Sequence, residues 1–303
     1  MIQLVPIAAK GPRGVFSETL TLWGSFACLI LGGSSLIFII LFILREAYPA
    51  LFVHNSILSY LFVDPWEPLA ASPSFGILHS WVSTIYITTI CLILSVPMGY
   101  GIGLFLSDVA PRWMRATLQP WLDLLAGIPS VVYGFVGYVT LVPWFERKLD
   151  MPTGESVLVA GIVLAVMVLP FVASTSAEAF RAVSRELRET SMNCGVTRWY
   201  TVRRVVIPKA LPGMFAAAAL GFARAIGETL AVLILAGNSV SVPDTPLSRG
   251  QPITALIATE LGEAGVGSEK YHALFGAGIV LLIIIVAINA VIWSWKGRLI
   301  YNG

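Results

Sequence analysis

Long apolar runs dominate this sequence and restrict its possible folds more than any other feature. A helix needs about 20 such residues to cross a bilayer. Six runs reach that length, at residues 20–44, 79–107, 118–145, 156–177, 211–237 and 273–295. A content of 57% hydrophobic and only 12% charged residues is also typical of a polytopic membrane protein. We therefore predict an all-α membrane protein with six transmembrane helices.

Lysine and arginine are unevenly distributed among the segments that flank these runs. The two termini and the second and fourth loops hold thirteen of them, whereas the first, third and fifth loops hold five. Cytoplasmic loops carry the basic excess in membrane proteins. Both termini are therefore predicted to be cytoplasmic, with a tail of residues 1–19 before one membrane domain, residues 20–303. The first run has full spanning length and no cleavage site, so we predict a retained helix and not a signal peptide.

The sequence lacks the motifs of the common enzyme and cofactor classes. None of its five lysines follows G-x-x-x-x-G, so there is no Walker A sequence, and H-E-x-x-H is also absent. The three cysteines and three histidines have no metal-ligand spacing. Gly99, Gly101 and Gly103 lie inside an apolar run with no strand before them, which indicates close helix packing and not a nucleotide loop. We predict no enzyme activity, no cofactor or metal in this chain, and no nucleic-acid partner.

Two loops on the predicted outer side differ in character. Residues 45–78 combine four prolines with several aromatic side chains, which favours packing over the helices or at the lipid headgroups. Residues 238–272 are polar and net acidic. This second loop is either a contact for an external protein or an ordinary solvated loop.

The longest polar stretch, residues 178–213, is called the basic segment here. It has seven basic residues against three acidic ones. Ser184 is placed to cap a short helix that ends at Gly195, and Thr197 to cap a second helix that Pro208 stops. The preference for basic cytoplasmic loops explains the charge but not this arrangement. The arrangement favours a docking element.

Spacing within the basic segment resembles the EAA loop of permease subunits in bacterial ABC importers. That motif runs E-A-A, three residues, G, nine residues, I, one residue, L-P. The matching positions are Glu189, Thr190, Ser191, Gly195, Val205, Ile207 and Pro208. Two small residues replace the alanines. The resemblance implies the type I importer permease fold, with a coupling helix that contacts one of two ATP-binding subunits. Those partner subunits would bind ATP and magnesium.

A helix break is predicted within the third apolar run. Gly127 and Pro129 lie two residues apart, and Ser130 and Tyr133 place hydroxyl groups beside them. Irregular backbone inside a membrane is tolerated where it meets protein or a water-lined cavity, although a kink that serves packing alone is the alternative. The stretch A-G-I-P-S-V-V-Y-G is similar to a signature of the phosphate-transport (Pst) permeases.

Arg224 and Glu228 are the only charged residues well inside any predicted span. Their i, i+4 spacing places them on one face of a continuous helix. An ionised group at the bilayer centre costs about 2.5–3.5 kcal/mol on insertion scales, so both face protein or a water path. A structural ion pair is one explanation. The other is an oxyanion site, in which the guanidinium binds two oxygens and the carboxylate accepts the proton that phosphate carries and sulfate lacks.

The surrounding sequence, G-x-x-R-A-x-G-E-T-x-A-V, resembles the fifth-helix motif of the Pst permeases and is closer to the PstC-type subunit than to the PstA-type. Residues 252–264 are also PstC-like. The resemblance implies that Arg224 and Glu228 line the phosphate pathway. We add Thr229, Ser130 and Tyr133 as candidate pathway residues. The resemblance also implies a phosphate importer subunit in the bacterial inner membrane, partnered by a PstA-type permease, two ATP-binding subunits and an external phosphate-binding protein.

Three alternatives stay open at this point. One is a permease for another oxyanion, sulfate or molybdate, and another is the PstA-type partner itself. The third is a proton-coupled secondary transporter or channel, in which Arg224 and Glu228 form a proton relay. A secondary transporter has no reason to keep the EAA spacing.

Overall fold

The computed structural model describes residues 12–54, 56–63 and 65–301 as a largely helical bundle. Its helices are α1 (Pro12–Pro49), α2 (Ile57–Phe62), α3 (Leu78–Leu104), α4 (Arg112–Gly127), α5 (Ser130–Leu149), α6 (Val157–Arg181), α7 (Arg185–Asn193), α8 (Arg198–Thr201), α9 (Ile207–Ile226), α10 (Leu230–Leu235), α11 (Ile253–Glu260) and α12 (Glu269–Tyr301). Two antiparallel strands, β1 (Trp66–Glu67) and β2 (Ser74–Phe75), form a small hairpin with Trp66 opposite Phe75. Short π-helical turns occupy Ala50–His54, Phe105–Val109 and Val202–Val206, and Leu261–Glu263 is a 3₁₀ turn.

Within these described ranges, five helical segments are long and apolar enough to cross a membrane. They are Thr21–Phe52, Leu78–Val109, Val157–Arg181, Arg198–Ile226 and Glu269–Ile292. The pair α4 and α5 supplies the sixth if it is counted as one span. The prediction of six segments therefore agrees with the structure, although the first and last helices are longer than predicted. Residues 1–11 of the predicted tail lie outside the described residues, and residues 12–19 belong to α1.

The centre of the bundle is formed by α3, α6 and α9, and α3 approaches α6 closely through glycine. A methyl group at Gly99 would lie 2.6 Å from Cγ1 of Val172, and one at Gly103 would lie 2.9 Å from the backbone nitrogen of Ala177. The predicted role in close packing is thus confirmed for these two glycines. Gly101 has no such neighbour within 4 Å among the described residues, so the prediction was wrong for it.

The predicted break in the third run is confirmed and is larger than a kink. Helix α4 ends at Gly127, α5 begins at Ser130, and the two axes differ by 92°. Pro129 offers no N–H to continue α4, and a residue before proline avoids the helical region, as Ile128 does with ψ of 130°. Tyr133 donates a hydrogen bond of 2.9 Å to the Leu125 carbonyl oxygen, which satisfies an acceptor at the end of α4.

Helix α8 continues into α9, so the prediction that Pro208 stops the helix was wrong. The helical path runs from Arg198 to Ile226. In a regular α-helix the ring of Pro208 would clash with the carbonyl group of Arg204. The π-helical turn Val202–Val206 precedes the proline, and its wider i→i+5 bonding lets the chain pass without a break.

The fifth run contains a break that the sequence analysis missed. Helix α9 ends at Ile226, residues 227–229 are not helical, and α10 begins at Leu230. The single helix predicted for residues 211–237 is therefore wrong. Backbone groups freed at this point require partners in the protein interior.

The end of the bundle opposite the basic segment is covered by α2, the hairpin and α11. Their buried apolar side chains pack with those of α12 in one cluster, which includes Tyr60, Trp66, Phe75, Ile253, Leu256 and Leu274. The Tyr60 hydroxyl donates a 2.7 Å hydrogen bond to the Ala273 carbonyl oxygen, and burial raises the pKa of Tyr60. Packing of loop 45–78 over the bundle is confirmed. Loop 238–272, predicted to be a polar loop, contains the partly buried helix α11.

Candidate transport and coupling sites

The non-helical residues between α9 and α10 position Glu228 in the protein interior. Its side chain is 5% exposed, and Oε1 accepts a 3.3 Å hydrogen bond from the backbone N–H of Ala231 in α10. Its backbone carbonyl oxygen accepts a 2.8 Å hydrogen bond from the Thr254 hydroxyl of α11. The break thus brings a carboxylate to the start of α10, and α11 holds it there.

Arg224 lies in the last turn of α9, and its side chain is 38% exposed. Its guanidinium carbon is 5.5 Å from the centre of the Phe171 ring, a cation–π distance. Nη1 lies 3.9 Å from Oε2 of Glu228, at the long limit of an ion pair. Nε is buried without a hydrogen-bond partner among the described residues. A buried donor without a partner costs about 1–3 kcal/mol. Because Nε itself is inaccessible, an incoming ligand can meet only the exposed part of the side chain.

The predicted geometry of Arg224 and Glu228 therefore needs correction. They do not share one continuous helical face, because α9 ends at Ile226 between them. They still meet, with the carboxylate inside and the guanidinium partly exposed. This asymmetry leaves the cation more exposed than the anion to an incoming molecule.

The other predicted pathway residues lie at the starts of α5 and α10. Ser130 opens α5 and is partly exposed, and Thr229 directly precedes α10 and is also partly exposed. The Tyr133 hydroxyl is engaged with α4, as described above. The two helices are in contact, since a methyl group at Gly134 would lie 3.0 Å from Cα of Ala231. A substrate contact for any of the three stays a prediction.

Hydroxyl groups that the sequence analysis did not single out surround Glu228. Thr84 and Thr88 of α3 and Thr254 of α11 line a small pocket with it. Thr84 Oγ1 accepts a 3.0 Å hydrogen bond from the Ile253 N–H and donates one of 2.8 Å to the Ser80 carbonyl oxygen. The i, i+4 spacing of Thr84 and Thr88 in an apolar helix was a signal that could have identified these two.

The predicted caps of the basic segment are confirmed. Ser184 accepts a 3.4 Å hydrogen bond from the Leu187 N–H at the start of α7, and Thr197 accepts one of 3.2 Å from the Tyr200 N–H at the start of α8. Gly195 follows α7 with φ of +79°, a left-handed conformation that glycine adopts at little cost. These local signals determine where the two short helices begin and where the first one ends.

Some of the residues at the EAA-like positions are exposed, and others lie where α7 contacts α8. Glu189 is exposed and lies 2.5 Å from Nε of Arg185 in the same helix, and Thr190 is exposed too. Ser191 and Thr201 share a 3.0 Å hydroxyl hydrogen bond that joins α7 to α8. Val205 and Ile207 are partly buried and Pro208 is exposed. Large apolar side chains are also exposed on this face, namely Leu187, Met192, Trp199 and Tyr200.

The spanning helices, the interior Arg–Glu contact and the exposed basic segment define a membrane-embedded transport subunit. Residues 99–299 match the family described as binding-protein-dependent transport system inner membrane component, and the chain belongs to this family. It is therefore a multi-pass component of an inner-membrane transport system. Among the described residues, no group of three His, Cys, Asp or Glu side chains is arranged to hold a metal ion.

Curated relatives cover about three quarters of the chain. It is 38% identical over 218 residues to the probable ABC transporter permease protein YqgH of Bacillus subtilis, which covers 72% of this chain and 71% of the relative. It is 35% identical over 250 residues to the phosphate transport system permease protein PstC of Xylella fastidiosa, covering 76% of each. PstC of Haemophilus influenzae is 32% identical over 245 residues, covering 75% of this chain and 76% of that protein.

Solved importer structures share the fold at low sequence identity. A bacterial alginate ABC transporter matches with a TM-score of 0.64 and 14% identity, over 95% of this chain and 96% of that one. The inward-facing MetNI methionine transporter matches with a TM-score of 0.57 and 19% identity, over 72% and 93%. The predicted type I importer permease fold is thus confirmed.

Proposed function

We propose that this chain is a PstC-type permease subunit that carries inorganic phosphate inward across the bacterial cytoplasmic membrane. The observation that carries the proposal is the partly exposed guanidinium of Arg224 next to the buried carboxylate of Glu228. Relatives named as phosphate permeases support the choice of anion. We further propose a PstA-type permease, two ATP-binding subunits and an external phosphate-binding protein as its partners.

Selectivity for phosphate follows from the asymmetry of this site. A guanidinium binds two oxygens of a tetrahedral oxyanion with directed hydrogen bonds. HPO₄²⁻ and H₂PO₄⁻ also carry an O–H group, which can donate to Oε2 of Glu228 when the anion sits against Arg224. Sulfate lacks this proton, so its approach leaves two negative charges facing each other. The site therefore prefers an oxyanion that retains a proton at neutral pH.

In this proposal, the basic segment transmits the conformational change driven by ATP binding and hydrolysis to the helix bundle. In the proposed arrangement, exposed apolar and charged side chains on α7 and α8 form the surface for an ATP-binding subunit, and the basic segment and both termini are cytoplasmic. Closure and reopening of the ATP-binding pair move α7 and α8, and the bundle alternates between outward-open and inward-open states. Catalysis of ATP hydrolysis belongs to the partner subunits, which supply the ATP and magnesium sites.

The test is uptake of ³²P-phosphate by cells that lack their native permease and express this chain with its partner subunits. Arg224→Gln is expected to reduce uptake about a hundredfold, the loss of a charge-assisted contact of about 3 kcal/mol. Arg249→Gln is the matched control, because Arg249 also pairs with a glutamate, Glu155 at 3.3 Å, but lies in the loop between α10 and α11, outside the Arg224–Glu228 contact.

The amount of each variant in the membrane is measured by immunoblot, so that lost assembly is not mistaken for lost transport. Excess sulfate and molybdate are added as competitors. Normal phosphate uptake by Arg224→Gln would show that the Arg–Glu contact is structural. Competition by sulfate or molybdate at phosphate-like concentrations would reassign the substrate to another oxyanion.

A further inference from the structure

A buried carboxylate outside the proposed pathway lies between α3 and the basic segment. Asp108 occupies the π-helical turn Phe105–Val109 that follows α3, and it is 5% exposed. Its Oδ2 accepts a 2.5 Å hydrogen bond from the hydroxyl of Ser107. A charge this deeply buried requires partners of opposite sign.

Both partners of Asp108 come from the basic segment. Arg188 of α7 donates from Nη1 to Oδ1 of Asp108, and Arg198 of α8 donates from Nη2 to the backbone carbonyl oxygen of Asp108. The remaining donors of Arg188 reach the carbonyl oxygens of Phe180 and Val183, where α6 ends. The turn that follows α3 is thereby tied to α7 and α8, and through Arg188 to the end of α6.

Electrostatics explain why a carboxylate is needed at this point. Burial lowers the pKa of Arg188, and the nearby positive charge of Arg198 lowers it further. An adjacent carboxylate favours the charged guanidinium, so Asp108 acts against both effects. Removing one partner of a buried pair leaves the other charge uncompensated, which is more costly than losing a surface pair.

The other ion pair within the basic segment cannot make this connection. Arg185 and Glu189 belong to the same helix, α7, and are 89% and 50% exposed. A movement of α8 reaches α9 directly, because the helix is continuous from Arg198 to Ile226. Helix α3 has no such covalent continuity with α8. It packs on α9, where the Tyr100 hydroxyl donates a 2.7 Å hydrogen bond to the Met214 carbonyl oxygen, and Asp108 adds a polar contact with α7 and α8.

We infer that Asp108 is a positioning residue that makes α3 move together with α8 and α9 when an ATP-binding subunit displaces the basic segment. The inference rests on the proposed function. It matters for transport because the Glu228 pocket is lined from both sides, by Thr84 and Thr88 of α3 and by Ala225 and Ile226 of α9. If α9 moves without α3, ATP is hydrolysed while the pathway fails to switch.

The test uses the complete complex in proteoliposomes, with ATP hydrolysis and ³²P-phosphate uptake measured in the same preparation. Asp108→Asn is expected to hydrolyse ATP at about the wild-type rate and to transport about tenfold less phosphate per ATP, within the range for residues that carry coupling. Asp150→Asn is the matched control: Asp150 is an exposed turn residue after α5, and its left-handed backbone, φ 51°, suits asparagine equally well. The Asp150→Asn variant should transport as much phosphate per ATP as the wild type.

A double-mutant cycle separates coupling from general damage. If Asp108 and Arg188 act as one unit, the double variant Asp108→Asn/Arg188→Gln should have the same phosphate-to-ATP ratio as the worse single variant. An unchanged ratio in Asp108→Asn, or additive losses in the double variant, would overturn the inference. If Asp108→Asn fails to assemble, Arg198→Gln is used instead, because it removes only the contact between α8 and Asp108. A wild-type phosphate-to-ATP ratio in Arg198→Gln would then overturn the inference. A wild-type complex that moves no phosphate would instead refute the proposed function, whatever the Asp108 variants do.

Discussion

At the scale of single residues, Arg224 and Glu228 have unequal environments although only three residues separate them. Glu228 is held by hydrogen bonds through its side chain to α10, through its carbonyl oxygen to α11 and through its N–H to Ala225 of α9. The Arg224 guanidinium lies over the Phe171 ring, and its Nη1 is 3.9 Å from Oε2 of Glu228. The carboxylate is therefore fixed by the fold, and the guanidinium has more freedom to respond to a ligand.

The shape of the Arg224 guanidinium should matter as well as its charge. Lysine keeps the positive charge but offers no planar fork for two oxygens. We expect Arg224→Lys to raise the phosphate concentration for half-maximal uptake about tenfold, with normal amounts of protein in the membrane. Uptake kinetics in the same cells measure this effect. An unchanged half-maximal concentration would mean that charge alone suffices.

The hydroxyl of Thr254 should stabilise the break at Glu228. Thr254→Val removes its hydrogen bond to the Glu228 carbonyl oxygen but keeps the shape, so a loss of about 1 kcal/mol is expected. Thr254→Ser retains the hydroxyl and serves as the control. Thermal unfolding of the purified subunits in detergent measures the difference, and equal melting temperatures for the valine and serine variants would contradict the role given to this bond.

At the scale of helices, the sequence predicted interruptions where proline or glycine caused them directly. Gly127 and Pro129 marked the 92° break between α4 and α5. The break before α10 contains Gly227 but no proline, and its apolar flanks match a continuous span, so it was not foreseen. The prediction that Pro208 ends a helix was wrong, because the π-helical turn that accommodates this proline has no local sequence signal. Helix α11 has only eight residues, too few for its apolar pattern to stand out.

The close approach of α3 to α6 gives a test with an internal control. Gly103→Ala places a methyl group 2.9 Å from the Ala177 nitrogen, so α6 must shift, at a cost of about 1–3 kcal/mol. Gly101→Ala, two positions earlier in the same helix, meets nothing within 4 Å. We expect a lower melting temperature for the first variant only. Equal melting temperatures would show that the two helices are not closely packed at Gly103.

At the scale of the whole molecule, some helices are buried by their neighbours and others expose apolar side chains. Helices α3, α6 and α9 bury one another, whereas α1 exposes apolar side chains along nearly its whole described length. Helix α5 also exposes an apolar face, with Phe135 at 62%. Lipid suits such surfaces, as does a second membrane subunit. The apolar runs predicted the helices, but partner surfaces depend on tertiary arrangement and could not be assigned from the sequence.

The orientation predicted from basic residues can be measured with topology reporters. A green fluorescent protein fused after Gly303 should fluoresce, because it folds in the cytoplasm, whereas alkaline phosphatase at the same position should be inactive. Alkaline phosphatase inserted after Asp244, in the loop between α10 and α11, should be active. The reverse pattern would invert the protein in the membrane and remove the basic segment from contact with cytoplasmic ATP-binding subunits.

The uninterrupted helix from Arg198 to Ile226 has a mechanical consequence. Its 29 residues span about 43 Å at 1.5 Å per residue, with the docking surface at one end and Arg224 in the last turn at the other. A rigid rod of that length acts as a lever: a tilt of about 10° at α8 would displace the far end by about 7 Å. That displacement exceeds the diameter of a phosphate ion. A proline that ended this helix early would have shortened the lever arm and uncoupled its two ends.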